Sequence, residues 1–190
     1  MKLKGIIVDA DFCIKLGASP KYRYLEKVLT ELADKVYIHR IVYDEILAPI
    51  CAKEQIDSLM KSGKLELIDE SSLESLEKTI YQGIYKSLAN VMINPLKPRK
   101  NLGETCSLAM AKTKGIPYFA TDEIQLQPIV DRILNTGIND VTCIRIEDVV
   151  RKIKVGELSN FTRKEAKVLW RLAGKKTEVF DMIIWPQCSV

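Results

Sequence analysis

Four acidic residues stand where separate elements of the chain are predicted to begin or end: Asp9, Glu45, Glu104 and Asp122. Asp9 and Asp122 each close a short apolar run of the kind that forms a buried strand, and the other two lie in helix-like stretches between them. Carboxylates at strand ends of an open α/β sheet point into the crevice where such sheets bind ligands. Because several carboxylates together repel unless a cation lies between them, the sequence predicts a Mg²⁺ or Mn²⁺ site.

Each acid also has a purely structural interpretation. Asp9 could cap a following turn, and Glu45 could lie on a solvated helix face. Asn101 and Glu104 have the spacing of a capping box, and Asp122 would place favourable negative charge at a helix start. Taken singly, the structural and functional interpretations are evenly matched. The joint placement of the four acids favours a shared site.

Strand and helix patterns alternate along the chain and predict an α/β fold, a parallel sheet covered by helices on both faces. The predicted strands are short apolar runs at 4–8, 36–38, 65–68, 117–120 and 141–144. The predicted helices cover 21–33, 43–60 with an interruption at Pro49, 71–91, 103–114, 124–134, 147–154 and 162–173. Ser-Ser opens the helix 71–91, and Glu74 has the position of the acid in a capping box.

Composition narrows the classes of protein. The 190 residues are 47% hydrophobic, which suffices for one core and is too little for two large domains. A single histidine, His39, excludes zinc sites that need two, and the phosphate-binding glycine motifs G-x-x-x-x-G-K-[ST] and G-x-G-x-x-G are absent.

The apolar run before Asp9 is too short for a signal peptide or a membrane span, so we expect a cytoplasmic protein. The five cysteines form no C-x-x-C pair, and we expect reduced thiols.

The net charge of +4 is unevenly distributed. Residues 151–190 carry a net charge of +5, and residues 1–150 carry −1. We therefore predict a main domain over 1–150 and a basic helical extension over 151–190 that packs on it, with a partner or dimer surface as the second interpretation. The loop 94–101 holds Lys97, Arg99 and Lys100 immediately before the predicted Glu104 helix. These three bases are candidate phosphate contacts, and a solvated basic loop is the alternative.

Four short segments together resemble the PIN-domain ribonucleases. Residues 6–14 resemble their opening strand and first acid, and residues 42–46 resemble the segment that carries their second acid. Residues 102–109 are similar to a Gly-Glu helix start in one branch of that family, and residues 115–122 to its strand that ends in an acid. The ordered set covers roughly residues 4–145, although each motif alone is unspecific.

This resemblance implies a three-layer nuclease domain in which the four acids hold one or two divalent cations and RNA phosphodiester bonds are hydrolysed. The toxins of toxin–antitoxin pairs belong to this family, so an antitoxin and a second copy of the chain are candidate partners. Many members separate the threonine and the last acid by one residue, whereas Thr121 and Asp122 are adjacent; the fourth acid could therefore be Glu123. Asp11 stands where a small polar residue is more usual.

Two other functions compete with this one. The Asp9-x-Asp11 pattern echoes the nucleophile strand of haloacid-dehalogenase phosphatases, but Cys13 stands where those enzymes have Thr or Val. A catalytically degenerate PIN-like domain that binds RNA or assembles with proteins is the second alternative. Retention of all four acids argues against it.

Overall fold

A five-stranded parallel sheet with helices on both faces forms the centre of the protein, which confirms the predicted fold class. The computed structural model describes residues 2–186. Its strands are β1 (Leu3–Val8), β2 (Ala33–His39), β3 (Leu65–Ile68), β4 (Tyr118–Ala120) and β5 (Thr142–Ile144). Their order across the sheet is β3-β2-β1-β4-β5, and every neighbouring pair is parallel.

The helices connect these strands and cover the sheet. They are α1 (Ala10–Gly17), α2 (Tyr24–Leu32), α3 (Arg40–Glu45), α4 (Ile50–Lys61), α5 (Ser75–Met92), α6 (Leu102–Lys114), α7 (Leu126–Ile133), α8 (Ile146–Lys154), α9 (Arg163–Leu172) and α10 (Thr177–Val179). A 3₁₀ turn covers Glu70–Ser72, and a π-helical turn covers Phe180–Ile184. Within residues 2–186, no helix combines the length and the apolar character needed to cross a membrane.

Side chains alternate across β1 and so define two hydrophobic layers. Ile6 and Val8 pack in a layer with residues of α1, α2, α4, α8 and α9. Ile7 faces the opposite layer, which is built with residues of α5, α6 and α7. Close packing in the first layer depends on Gly17, because a Cβ there would lie 2.4 Å from the Cβ of Ala52 on α4.

The interruption predicted at Pro49 is confirmed, because the stretch 43–60 forms two helices, α3 and α4, separated by residues 46–49, although α3 begins earlier, at Arg40. The chain also forms α1 directly after Asp9, where no helix was predicted. The helix predicted to start at 71 starts at Ser75, because Asp69 accepts a hydrogen bond from the Ser71 N–H and holds a separate turn, while Glu77 accepts from the Glu74 N–H.

The segment after residue 150 contributes to the first hydrophobic layer. Leu169 and Trp170 of α9 and Phe180 are buried in the same cluster as Ile6, and the Trp170 indole N–H donates to the Lys176 carbonyl at 2.8 Å. The boundary predicted at residue 150 falls inside α8. Residues 187–190 of the predicted extension, with Cys188, lie outside the described residues.

The strand order creates one topological switch point. From β1 the chain proceeds to β2 and β3 on one side of the sheet, and β4 and β5 lie on the other side. Ligands of open parallel sheets bind at the carboxyl ends of the two strands that flank such a point. Here those strands are β1, which ends just before Asp9, and β4, which ends just before Thr121.

Candidate metal centre

Asp9 is fixed at the switch point by both its backbone and its side chain. Its N–H donates to the Ala120 carbonyl at 2.9 Å, which extends the β1–β4 pairing by one residue. Its Oδ1 accepts the Ala10 N–H at 2.7 Å and caps α1. The capping interpretation of Asp9 is therefore correct, but it uses one carboxylate oxygen. The second oxygen, Oδ2, lies 3.5 Å from the Thr121 hydroxyl.

Burial and neighbouring acids make Asp9 a weak acid. The side chain is 3% exposed, and burial together with the charges of Glu104, Asp11 and Glu45 raises the pKa of Asp9 from 3.8 to about 7. The Ala10 N–H opposes this rise without cancelling it. Asp9 therefore lies within electrostatic reach of three other carboxylates, two of which the sequence predicts as its partners.

Glu45 lies at the end of α3 and packs against α6 at Gly103, the second residue of that helix. A Cβ on Gly103 would lie 2.7 Å from Glu45 Oε2 and 3.0 Å from Cγ2 of Val42. Burial of its carboxylate raises the pKa of Glu45, and the Gly103 N–H lowers it in part. Because Gly103 has no side chain, the Glu45 carboxylate can lie next to the start of α6, where Glu104 is the following residue.

Glu104 lies in the first turn of α6, and most of the charges around it are negative. Burial raises the pKa of Glu104, and Glu123, Glu45 and Asp11 raise it further, whereas Lys100 lowers it. The capping box suggested for Asn101 and Glu104 is not formed, because Asn101 makes no side-chain cap. Its amide instead donates to the Met92 carbonyl at 3.0 Å and ties the end of α5 to the start of α6.

The structure separates the two candidates for the fourth acid. The Asp122 carboxylate is 6% exposed and pairs with Lys15 Nζ at 2.8 Å, and the same lysine binds Asp11 at 2.7 Å. Among the acids that raise the pKa of Glu104, Glu123 has the largest effect. Its N–H donates to the Thr121 hydroxyl at 3.2 Å. Asp122 therefore lies at the same edge and is paired with Lys15, whereas Glu123 acts on Glu104, which makes Glu123 the candidate that we take as the fourth carboxylate.

The group of Asp9, Glu45, Glu104 and Glu123 suits a hard divalent cation. All its donors are carboxylate oxygens, the ligands that Mg²⁺ and Mn²⁺ prefer. Burial and neighbouring acids raise the pKa of Asp9 and of Glu104, and Lys100 is the basic side chain that opposes this rise at Glu104. A cation among these oxygens would replace the proton that Asp9 holds near neutral pH.

Among the three bases predicted as phosphate contacts, Lys100 is nearest to the acids. It acts on the pKa of Glu104 and lines a cavity beside it. Lys97 and Arg99 are exposed in the preceding loop, where the Lys97 N–H donates to the Asn94 carbonyl at 2.8 Å. The structure thus places one of the three bases at the site and two along an approach to it.

A second group of potential ligands was not foreseen from the sequence. His39, Glu70 and Cys106 bring ligand atoms within 4.8 Å of one another. However, His39 Nδ1 accepts the Ile41 N–H at 3.2 Å, so the proton of the neutral ring is on Nε2, which lies 3.6 Å from Glu70 Oε1. The same oxygen accepts the Tyr81 hydroxyl at 2.6 Å.

This second group is better described as a polar network than as a metal site. A protonated Nε2 has no lone pair for a metal, and freeing it would remove the cap at the start of α3. Burial lowers the pKa of His39 and keeps the ring neutral, although Glu70 and Asp69 raise it. Of this group, the sequence singles out only His39, as the one histidine of the chain. Through the cap that His39 forms, the network holds the start of α3, the helix that carries Glu45.

We expect the Asp9→Asn protein to be more stable than the wild type at pH 8 without divalent cations. The folded-state pKa of about 7 exceeds the ordinary 3.8, so the folded protein holds an extra proton between these values, and stability falls as pH rises from about 4 through about 7. At about 1.4 kcal/mol per pKa unit, the gain has an upper limit of about 4 kcal/mol. Urea unfolding at pH 5 and pH 8 in chelator measures the difference in the free energy of unfolding between Asp9→Asn and the wild type.

The control for this prediction is Asp122→Asn, which breaks the ion pair with Lys15 and should lower stability at pH 8. An Asp9→Asn protein no more stable than the wild type at pH 8 would contradict the account of Asp9 as a strained buried acid.

We expect Gly103→Ala to weaken Mn²⁺ binding about tenfold or more while the fold persists. The new methyl displaces the flexible Glu45 carboxylate rather than backbone, and alanine favours a helix over glycine by about 1 kcal/mol. Isothermal titration with Mn²⁺ gives the affinity. Gly83→Ala is the matched control, because a Cβ there meets no atom within 4 Å. Equal affinity in both variants would show that Glu45 is not a ligand.

Comparisons with known proteins identified no relative of this chain. No protein-family model, no curated protein and no solved structure matches the chain.

Proposed function

We propose that this chain is a divalent-metal-dependent ribonuclease of the PIN-domain type. The observation that carries the proposal is the meeting of Asp9, Glu45, Glu104 and Glu123 at the switch point of a parallel sheet. They come from four separate segments. Glu104 and Glu45 raise the pKa of Asp9, and Glu123 and Glu45 raise the pKa of Glu104, which is costly for the fold unless a ligand uses these acids. The resemblance of the segments 6–14, 42–46, 102–109 and 115–122 to PIN-domain ribonucleases supports the same function.

The four carboxylates would hold the cation. Asp9 offers Oδ2, since Oδ1 is engaged with Ala10, and Thr121 holds the segment that carries Glu123. When bound, Mg²⁺ or Mn²⁺ lowers the pKa of a coordinated water and stabilises charge on a phosphate oxygen. Because Asp9 holds a proton near neutral pH in its absence, binding releases a proton and tightens as pH rises through about 7.

A carboxylate must accept the proton of the attacking water, because His39 is fully buried and caps α3. We assign this role to the oxygen of Glu104 that would not bind the cation. The pKa of Glu104 is raised by burial and by Glu123, which brings a carboxylate closer to the range of an effective general base. Lys100, beside Glu104, is placed to bind a phosphate oxygen of the substrate.

RNA is the proposed substrate, approached over the loop that carries Lys97, Arg99 and Lys100. The tail contributes less to this surface, because several of its bases pair with acids: Arg163 and Lys167 both bind Asp181. Cys13, Cys51, Cys106 and Cys143 are free thiols, which is compatible with the cytoplasmic compartment we propose. An antitoxin and a second copy of the chain remain proposed partners.

We expect the wild type to cleave single-stranded RNA with Mg²⁺ or Mn²⁺ and to lose this activity in chelator. Asp9→Asn and Glu123→Gln should each reduce the rate by about 100-fold or more, because the amides keep the shape but lose the charge that binds the cation. Asp122→Asn should have a smaller effect, since that carboxylate pairs with Lys15. Gel analysis of a labelled RNA measures the cleavage rate of the wild type and of the three variants.

Three outcomes would contradict this assignment. Cleavage by the wild type that persists in excess chelator would exclude the metal mechanism. Loss of activity in Asp122→Asn with full activity in Glu123→Gln would show that Asp122 is the fourth acid. Metal binding without cleavage would favour the degenerate RNA-binding alternative.

Replacing Lys97, Arg99 and Lys100 together by alanine should make RNA binding less dependent on salt. Three bases neutralise up to about three phosphates, so the slope of log affinity against log salt should fall by about two. Fluorescence anisotropy at several salt concentrations measures the slope. Alanine at the exposed tail residues Lys154, Lys164 and Arg171 is the matched control, for which we expect a smaller change. An unchanged slope in the loop variant would show that the loop is only a solvated surface.

A further inference from the structure

A cavity of about 240 Å³ adjoins the acidic group on the side of Lys100. It lies between the end of α5, the start of α6 and the start of α7. Its wall includes Glu104 and Glu123, two of the carboxylates assigned to the cation. A substrate phosphate held at the acids would therefore have this cavity beside it.

The lining of the cavity is partly apolar and partly polar. Met92 and Leu126 are buried, and Val91 and Ile129 are aliphatic side chains of its lining. Gln125 is an exposed residue of the lining. Proteins hold an unstacked nucleobase between apolar or aromatic side chains, with polar groups that bind its edge.

The size of the cavity suits one ring system. Its volume equals the share of about eight water molecules in the liquid. It lies below the range of about 300–1,000 Å³ that is usual for drug-sized ligands. The carboxylates of Glu104 and Glu123 disfavour a second phosphate there, whereas a neutral base would avoid this repulsion.

The polar groups of the wall also favour some bases over others. The Asn101 amide nitrogen is engaged with the Met92 carbonyl, so its oxygen is left as an acceptor. The carboxylates of Glu104 and Glu123 are acceptors as well, and the acceptor groups of the wall outnumber its donors, the Lys100 ammonium and the Gln125 amide. Exocyclic amino groups, which adenine, cytosine and guanine carry and uracil lacks, would meet these acceptors.

We propose that this cavity binds one unstacked nucleobase next to the scissile phosphate and disfavours uracil. The proposal rests on the ribonuclease function proposed above and deepens it, because it makes single-stranded RNA with an amino-bearing base at the cleavage position the substrate. A base within a duplex is stacked and paired, and it cannot enter the cavity without being extruded.

The test compares two short labelled RNAs, a heptauridylate and the same oligomer with one central adenosine. Binding is measured by fluorescence anisotropy with Ca²⁺ in place of Mg²⁺. The adenosine should raise the affinity of the wild type about five- to tenfold, the range of one good base contact. Ile129→Trp fills the cavity and should abolish this gain. Ile138→Trp, the same change at an exposed residue outside the cavity wall, should leave the gain intact.

Val91→Trp provides a second test if Ile129→Trp does not fold, because Val91 is half exposed and also lines the cavity. Equal binding of the two RNAs by the wild type, or a gain that persists in the cavity-filling variant, would overturn the proposal. A gain that depends on the cavity, together with no cleavage in Mg²⁺, would uphold the base site and refute the nuclease function.

Discussion

Repulsion between the buried carboxylate of Asp9 and the acids around it at the switch point is the constraint on which the rest of the structure depends. Asp9 cannot move away from this point, because its N–H continues the β1–β4 ladder and its Oδ1 caps α1. Glu104 and Glu45 enter the same space from α6 and α3, and with burial they raise the pKa of Asp9 to about 7. The protein can relieve this repulsion with a proton or with a cation. The cation is the form in which the site can act on a phosphate.

Several features of the scaffold serve to hold the acids together against this repulsion. Gly103 leaves room for the Glu45 carboxylate, and the Thr121 hydroxyl lies between Asp9 and the backbone of Glu123. His39 holds the start of α3 through a buried ring nitrogen. These residues contribute little as ligands, but each restricts where a carboxylate can go. Ligands that are held in place before a cation binds reduce the free-energy cost of binding it.

The sequence was sufficient to predict features that depend on local pattern. The alternation of strands and helices gave the parallel sheet, and strand ends located Asp9 and the segment of Asp122 and Glu123. It could not decide between these two neighbours, because the decision depends on Lys15, which lies on a helix that was not predicted. The network of His39, Glu70 and Cys106 joins three distant segments, so no local spacing could reveal it. Asn101 had the type and spacing of a cap, but the Met92 carbonyl, a tertiary partner, takes its side chain instead.

The most direct test of this account is the titration of Asp9 itself. Carbon-13 NMR of side-chain carboxyl groups follows each acid with pH, and the signal missing in Asp9→Asn identifies this residue. In chelator, Asp9 should titrate near 7, and saturating Mg²⁺ should lower its pKa toward the ordinary value of 3.8. A pKa near 3.8 in chelator would show that the acids do not converge. A pKa near 7 that Mg²⁺ leaves unchanged would show that they converge without binding a cation.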